Sequence, residues 1–232
     1  GYGQTGEYSQ MAGHDINYLA MAGVLNEIGS PDRPAMANVQ FADIAGGSLQ
    51  LVIGALTALE SRHQTGLGQF VDVSMTAGVT SLLPVPHSMY NSSGKLPERG
   101  NELLSGRYAC YNLYQCADAR WLSIGALEHK FWKTLCQVLG HPELAEEQFA
   151  PEPRQSEIKS QIASIFATSP AMDWFARLRD KDCCVAPVLT LDEVTVPIGL
   201  GPTLRRTPPS LDQEAPALGQ HTAAILNELN KK

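Results

Sequence analysis

Three side chains that can exchange protons stand where helices are predicted to begin. They are His14, Asp43 and Glu128. A helix N-terminus presents free backbone N–H groups and the positive end of the helix dipole, so anionic groups and developing oxyanions are stabilised there. These residue types in these places are consistent with an acid–base pair, and they leave the substrate open.

Each of the three residues also has an ordinary structural interpretation. An aspartate before a helix, such as Asp43, commonly caps the helix N-terminus. A glutamate in a first helical turn, such as Glu128, pairs with the helix dipole. His14, next to Asp15, is also typical of a solvated surface histidine. The residue types alone leave both interpretations open.

Two predicted helices carry the first two of these residues. The pattern over residues 14–28 predicts a helix with Asp15 as its N-cap, broken by the Gly-Ser-Pro-Asp sequence that follows. A second helix is predicted from Ile44 to about His63. Two glycines in its first turn, at positions 46 and 47, are poor helix formers and indicate a close approach to the backbone.

The rest of the chain predicts a mixture of helices and short strands. A strand is predicted over residues 69–73, and Ser74 is predicted to cap a third helix that Pro84 and Pro86 end or kink. The later predicted elements are a hairpin over 107–116 and 121–124, helices over 128–139, 156–167 and 170–179, a strand over 185–189, a helical turn over 191–194, an extended segment over 197–217 and a helix over 222–229.

This organisation predicts an α/β fold in two parts. Residues 1–90 form a helix-rich part and residues 91–106 a linker. Residues 107–190 form a small α+β domain, and residues 191–232 form a second linker with a C-terminal helix.

Composition excludes several classes of function. The chain has 232 residues, 44% of them apolar, with a net charge of −7 and no basic stripe, so no nucleic-acid partner is expected. The longest apolar stretch, residues 49–59, is interrupted by Gln50, Gly54 and Thr57, so no membrane span is predicted. Five cysteines without a CxxC pair indicate free buried thiols in a reducing cytoplasm, and no spacing suits a metal site.

The chain opens with Gly-Tyr-Gly-Gln-Thr-Gly and no methionine. The opening has no features of a signal peptide, and it is typical of a loop inside a fold. The sequence therefore predicts that the first part of a longer protein precedes it. The glycines match Gly-x-Gly-x-x-Gly formally, but the polar continuation Glu-Tyr-Ser does not open a helix, so a dinucleotide site is not expected.

Six motifs, in order along the chain, resemble the family III CoA-transferase superfamily and, within it, the α-methylacyl-CoA racemase branch. They include Gly-His-Asp-Ile-Asn-Tyr around His14, Asp-Ile-Ala-Gly-Gly from Asp43 and Gly-Ala-Leu-Glu ending at Glu128. The segments are residues 1–6 with 13–18, 42–47, 65–75, 125–128, 184–189, and 219–222 with 225–226.

The resemblance implies a fold and an assembly. Residues 1–90 would be the central, helical part of a Rossmann-like, CoA-binding large domain, to which residues 191–232 return. About a hundred further residues would precede them, and two chains would form an interlocked homodimer. The implied substrate is an acyl-CoA thioester of fatty acid metabolism. No cofactor beyond the CoA moiety and no metal is implied. The expected location is cytoplasmic, or peroxisomal or mitochondrial in a eukaryote.

The resemblance also implies roles for named residues. His14 and Asp43 would exchange protons with opposite faces of the α-carbon of a 2-methylacyl-CoA thioester, a racemisation. Glu128 would hydrogen-bond His14 and set its tautomer. The backbone N–H of Asp15 would stabilise the enolate oxygen. Oxyanion and substrate contacts are further expected from a set of nearby residues, namely Tyr18, Gly46 and Gly47.

Two alternatives accompany the racemase assignment. In the transferase branch, the aspartate at the position of Asp43 is a nucleophile that forms an aspartyl-CoA thioester. His14 and Glu128 favour the racemase, while departures from the racemase pattern at 105–111 and 129–130 indicate a different acyl group. The other alternative is an inactive fragment, or a subunit that needs the missing N-terminal segment.

Overall fold

The computed structural model describes residues 1–195, 202, 204–208 and 215–230. Contacts divide the chain into two units, Gly1–Val188 and Leu189–Lys232. The predicted α/β class is confirmed, because the chain contains both helices and short strands. Within the described residues both sheets are antiparallel, one with the order β1-β2 and the other β3-β4-β5.

The elements follow in chain order. The helices are α1 (Asp15–Met21), α2 (Val24–Glu27), α3 (Ala42–Thr65), α4 (Met75–Thr80), α5 (Pro84–Ser93), α6 (His129–Val138), α7 (Arg154–Phe166), α8 (Ala171–Leu178) and α9 (Thr222–Leu229), with 3₁₀ turns at Pro142–Glu147 and Leu191–Glu193. The strands are β1 (Gly29–Ser30), β2 (Arg33–Pro34), β3 (Tyr111–Gln115), β4 (Trp121–Gly125) and β5 (Val185–Pro187).

The predicted helix over residues 14–28 is two helices. Gly23 has a φ of 80°, a left-handed conformation that ends α1 and starts α2. The predicted N-cap, Asp15, was wrong. His14 is the N-cap, with an extended backbone whose N–H donates to Asn17 Oδ1 at 3.1 Å. The carboxylate of Asp15 is engaged elsewhere, at the start of α3.

Helix α3 begins at Ala42, two residues before the predicted start. Its first stretch, Ala42–Ser48, is a π-helix, and the α-helix Leu49–Thr65 continues from it. The early start is explained by Asp15, because its carboxylate accepts hydrogen bonds from the first N–H groups of the helix. The predicted end is confirmed, since Gly66 caps the helix with a left-handed φ of 76°.

The prediction that no apolar stretch is long enough to cross a membrane has one weak exception among the described helices. Helix α3 has 24 residues and is long and apolar enough to cross a membrane, by length and composition only. In its most apolar 18-residue stretch, 11% of the residues are buried. The prediction considered unbroken apolar runs, whereas a helix tolerates interruptions such as Gln50 and Thr57. A helix that packs against other protein passes the same test.

The segment between α3 and α4 is extended but is not a strand. The strand predicted over residues 69–73 was wrong, because the described residues offer it no hydrogen-bonded neighbour. Ser74 does cap α4, its hydroxyl accepting from the Ala77 N–H. Pro84 then starts α5, which runs into the predicted loop as far as Ser93.

The predicted hairpin, the three helices after it and the strand that follows are confirmed within a few residues. Strand β4 lies between β3 and β5. Helices α6, α7 and α8 bury Trp132, Ile162 and Trp174 in one hydrophobic cluster with buried residues of this sheet.

Buried hydrophobic residues of Gly1–Val188 form two clusters. One includes Tyr18, Leu19, Ala42 and Val79, and the other spans residues 109–183. The predicted domain boundaries stay a prediction. In the second unit the predicted helical turn and closing helix are confirmed. Much of the predicted extended segment 197–217 lies outside the described residues.

Candidate functional site

His14 stands at the start of α1 with an exposed side chain. The loop before it is held by Tyr18, whose hydroxyl donates to the Gly13 carbonyl oxygen at 2.6 Å. Tyr18 is itself buried, and its ring packs edge-on against Tyr2 at 5.0 Å between centroids. The backbone that presents His14 is therefore fixed at two points, the Gly13 carbonyl oxygen and the His14 N–H, which donates to Asn17 Oδ1.

Asp43 lies half-buried in the first turn of α3. The turn is wide, and the Ser48 hydroxyl donates to the Asp43 carbonyl oxygen at 3.0 Å. Stretches of π-helix are uncommon and often occur at functional sites. The prediction that Asp43 stands at a helix start is confirmed.

A contact that the sequence does not reveal joins these two places. Oδ1 of Asp15 accepts a hydrogen bond from the Ala42 N–H at 2.7 Å and from the Asp43 N–H at 2.9 Å. Asp15 immediately follows His14, so one side chain ties the start of α1 to the turn that carries Asp43. The bonds span 27 and 28 residues of sequence, and no local pattern signals them.

Gly46 and Gly47 are buried, and the predicted close approach to their backbone is confirmed. The approaching group is α4. A Cβ on Gly46 would lie 2.6 Å from the Met75 carbonyl oxygen and 2.8 Å from the Val79 nitrogen. The glycines therefore have a packing reason, and their role toward a substrate stays a prediction.

Glu128 is the N-cap of α6 and its side chain is exposed. Two carbonyl groups just before it, those of Ala126 and Leu127, accept hydrogen bonds from the buried amide of Gln148. Within the described residues of this one chain, no hydrogen bond joins Glu128 to His14. The predicted contact between the two side chains is thus not made inside a single chain.

A cavity of about 540 Å³ lies beside the three-stranded sheet. Its lining includes Gly106, Tyr111, Leu113 and Cys184. Burial, together with the carboxylates of Glu128 and Asp182, raises the pKa of the Cys184 thiol.

The five cysteines are free, as predicted, and four of them are buried, while Cys184 is exposed. In the part of the chain that the structure describes, no group of three His, Cys, Asp or Glu side chains is placed to hold a metal ion. The CoA moiety as the sole cofactor-like group stays a prediction.

Comparisons with known proteins agree with the motifs. The model of CoA-transferase family III matches residues 1–197. The chain is 34% identical over 251 residues to the α-methylacyl-CoA racemase of Homo sapiens, covering 98% of this chain and 65% of that protein. It is 29% identical over 266 residues to the succinyl-CoA–D-citramalate CoA-transferase of Chloroflexus aurantiacus, covering 99% of this chain and 63% of that one.

A solved structure is similar over nearly the whole chain. The crystal structure of a CAIB/BAIF family protein from Brucella suis aligns with a TM-score of 0.78 and 27% identity, covering 99% of this chain and 66% of that one. The chain thus spans a little under two thirds of the length of these relatives. The chain belongs to CoA-transferase family III.

Proposed function

We propose that the protein racemises 2-methylacyl-CoA thioesters by proton transfer at the α-carbon, with His14 and Asp43 as the acid–base pair. The observation that carries this proposal is the pair of hydrogen bonds that the Asp15 carboxylate accepts from the turn holding Asp43. Because Asp15 directly follows His14, these bonds connect the two candidate acid–base residues. Two groups that must serve one carbon need such a fixed relation.

One group of the pair removes the α-proton, and the other returns a proton to the opposite face of the planar enolate. The enolate oxygen needs a hydrogen-bond donor, because a thioester α-proton is weakly acidic. Asp15 is the first residue of α1, so its N–H has no acceptor within that helix. A donor of this kind lowers the barrier by about 3–4 kcal/mol.

We propose that Glu128 meets His14 across the interface of a homodimer. Two observations support this arrangement. The two side chains make no hydrogen bond within one chain, and α3 exposes a row of apolar side chains that other protein would cover. Leu49, Ile53 and Leu56 each leave more than half of their surface exposed.

Mixed dimers test the shared site. Co-expressed His14→Ala and Glu128→Gln chains restore one complete site if the pair forms between chains. Racemisation should then return in the mixture and be absent from either variant alone. No recovery in a verified mixed dimer contradicts the shared site.

The cavity beside the sheet is a candidate binding site for part of the substrate. Its lining includes Ser105, Gly106 and Tyr111, within the segment that departs from the racemase pattern. Substitution of Leu113, which also lines it, by tryptophan should change the preference among 2-methylacyl groups of different length. An unchanged preference removes the cavity from the substrate path.

The transferase alternative rests on the same carboxylate. CoA-transferases are among the relatives, and Asp43 would form an aspartyl-CoA thioester. Mass spectrometry after incubation with acyl-CoA and acceptor acid separates the two activities. A CoA adduct on Asp43 supports the transferase, and its absence beside rapid racemisation supports the racemase.

The deciding experiment is solvent exchange. The natural full-length protein, incubated with one enantiomer of a 2-methylacyl-CoA in heavy water, should incorporate deuterium at the α-carbon and invert the configuration. His14→Ala should slow inversion by about 10²–10⁴-fold. No exchange by the wild type rejects the racemase. If the full-length protein catalyses exchange and the 232-residue chain by itself does not, the result supports the alternative of a fragment that is inactive alone.

A further inference from the structure

The side chain of Asp15 makes both of its hydrogen bonds through one oxygen. Oδ1 receives the Ala42 N–H at 2.7 Å and the Asp43 N–H at 2.9 Å. The environment is partly buried, and Ala42 has no exposed surface. Hydrogen bonds to an ionised carboxylate are shorter and stronger than neutral ones, and partial burial protects them from water. The contact is therefore a firm one.

The place of Asp15 in the sequence gives this contact a consequence for Asp43. His14, the residue before Asp15, is the N-cap of α1. Oδ1 of Asp15 accepts a hydrogen bond from the N–H of Asp43 itself. The first turn of α3 is a wide π turn, whose backbone hydrogen bonds run over five residues. Without the Asp15 carboxylate as an acceptor for its first N–H groups, this turn could adopt another conformation, such as the tighter α-helical turn.

We propose that Asp15 is a positioning residue whose carboxylate sets where Asp43 stands relative to His14. The proposal rests on the proposed racemase function, and it concerns the side chain, whereas the enolate contact above uses the backbone N–H. Two groups on opposite faces of one carbon tolerate little error in their separation. A displacement of about 1 Å costs about a hundredfold in rate.

Two substitutions separate the parts of the Asp15 side chain. Asp15→Ala removes the acceptor and keeps the backbone N–H. Asp15→Asn keeps an acceptor oxygen and removes the charge. We expect Asp15→Ala to lower kcat for inversion by about 10- to 100-fold, with a small change in KM. We expect Asp15→Asn to recover most of the rate.

The ratio of exchange to inversion is a readout that loss of folding does not move. For the enantiomer whose α-proton faces His14, proton removal needs His14, while inversion also needs Asp43 on the opposite face. Displaced Asp43 should therefore leave deuterium exchange with retained configuration and slow inversion. In Asp15→Ala the ratio should rise about tenfold or more, as expected for a misplaced group. A variant that is merely less folded loses both rates equally.

Asp118 provides a matched control. Its carboxylate also accepts the N–H of a helix start distant in sequence, that of Ala171, at 3.2 and 3.3 Å. Asp118→Ala should lower stability without changing the ratio of exchange to inversion.

The outcomes are distinct. If wild type neither exchanges nor inverts, the racemase function fails. If wild type is active and a folded Asp15→Ala leaves the ratio of exchange to inversion unchanged, as Asp118→Ala does, the positioning role is rejected. The role is also rejected if Asp15→Asn raises that ratio as much as Asp15→Ala does. If Asp15→Ala does not fold, Asp15→Leu, which also lacks the acceptor oxygen, takes its place in both comparisons.

Discussion

The backbone of Gly78 in α4 lies against the backbone of Gly46 in α3. A Cβ on Gly78 would stand 2.7 Å from the Gly46 carbonyl carbon and 2.9 Å from its Cα. Both helices can approach this closely only because neither residue carries a side chain. Gly46 is three residues beyond Asp43, so the crossing fixes the turn that carries the candidate acid–base group against a second helix.

Gly78→Ala should therefore destabilise the protein. The added methyl group meets backbone atoms, which cannot move aside as a flexible side chain would, and overpacking of this kind costs about 1–3 kcal/mol. Alanine gains up to about 1 kcal/mol of helix propensity over glycine, which is the smaller effect. Urea unfolding measures the difference. Gly68→Ala, where a Cβ meets nothing within 4 Å, is the control and should be neutral.

The buried thiols predict a loss of stability in alkaline solution. Burial raises the pKa of Cys183 to about 11 and that of Cys136 to about 12, from an ordinary value of 9.0. Below pH 9 both thiols are protonated in the folded and unfolded states, so their contribution is fully present. As the pH rises from 9 toward 11–12, the unfolded state releases these protons first, and the free energy of unfolding falls.

Chemical unfolding between pH 7 and pH 11 checks this prediction. Cys183→Ala should show a shallower fall above pH 9, from a lower stability at pH 7. Cys184→Ala should alter the slope less, because that thiol is exposed. Equal slopes for wild type and Cys183→Ala would show that other groups govern the alkaline loss.

Gln148 should support the segment that leads to Glu128. Its side chain is 4% exposed, and its amide nitrogen donates to the carbonyl oxygens of Leu127 at 2.8 Å and Ala126 at 3.2 Å. Gln148→Leu leaves both carbonyls without this donor, at a cost of about 1–3 kcal/mol for each group left unsatisfied. We expect the free energy of unfolding, measured by heat or urea, to fall by about 1–3 kcal/mol for each of these two carbonyl groups.

The same exchange on the surface is the control for Gln148. Gln137→Leu, on the exposed side of α6, should change stability by less than about 0.5 kcal/mol. A loss for Gln148→Leu no greater than that for Gln137→Leu would contradict the assigned support.

The sequence predicts what depends on neighbours along the chain. Gly66 ends α3 and Ser74 caps α4 because a left-handed glycine and a capping hydroxyl act within one turn. The family motifs likewise locate His14 and Asp43 at helix starts. The segment 69–73 has the alternation of a strand, but a strand also needs a hydrogen-bonded neighbour, which the pattern does not contain.

The contacts that assemble the candidate site lie beyond such signals. The bond from Asp15 to the turn of Asp43 crosses 28 residues, and side-chain types do not specify which distant N–H a carboxylate will meet. The same is true of Gln148, because no periodic pattern in the sequence predicts that it is buried or that its amide donates to two backbone carbonyl groups. For Glu128, the motif predicts a role, and the fold of one chain does not provide its partner.

Tyr18→Phe distinguishes two roles for a residue expected to contact the substrate. The hydroxyl already donates to the Gly13 carbonyl oxygen at 2.6 Å, next to His14. Phenylalanine keeps the ring packing and removes this bond, so stability should fall by about 1 kcal/mol. If the hydroxyl acts by holding the loop, kcat for racemisation should fall about tenfold with little change in KM. Tyr8→Phe, an exposed tyrosine of the same loop, should match the wild type. A rise in KM with unchanged kcat would instead assign the hydroxyl to substrate binding.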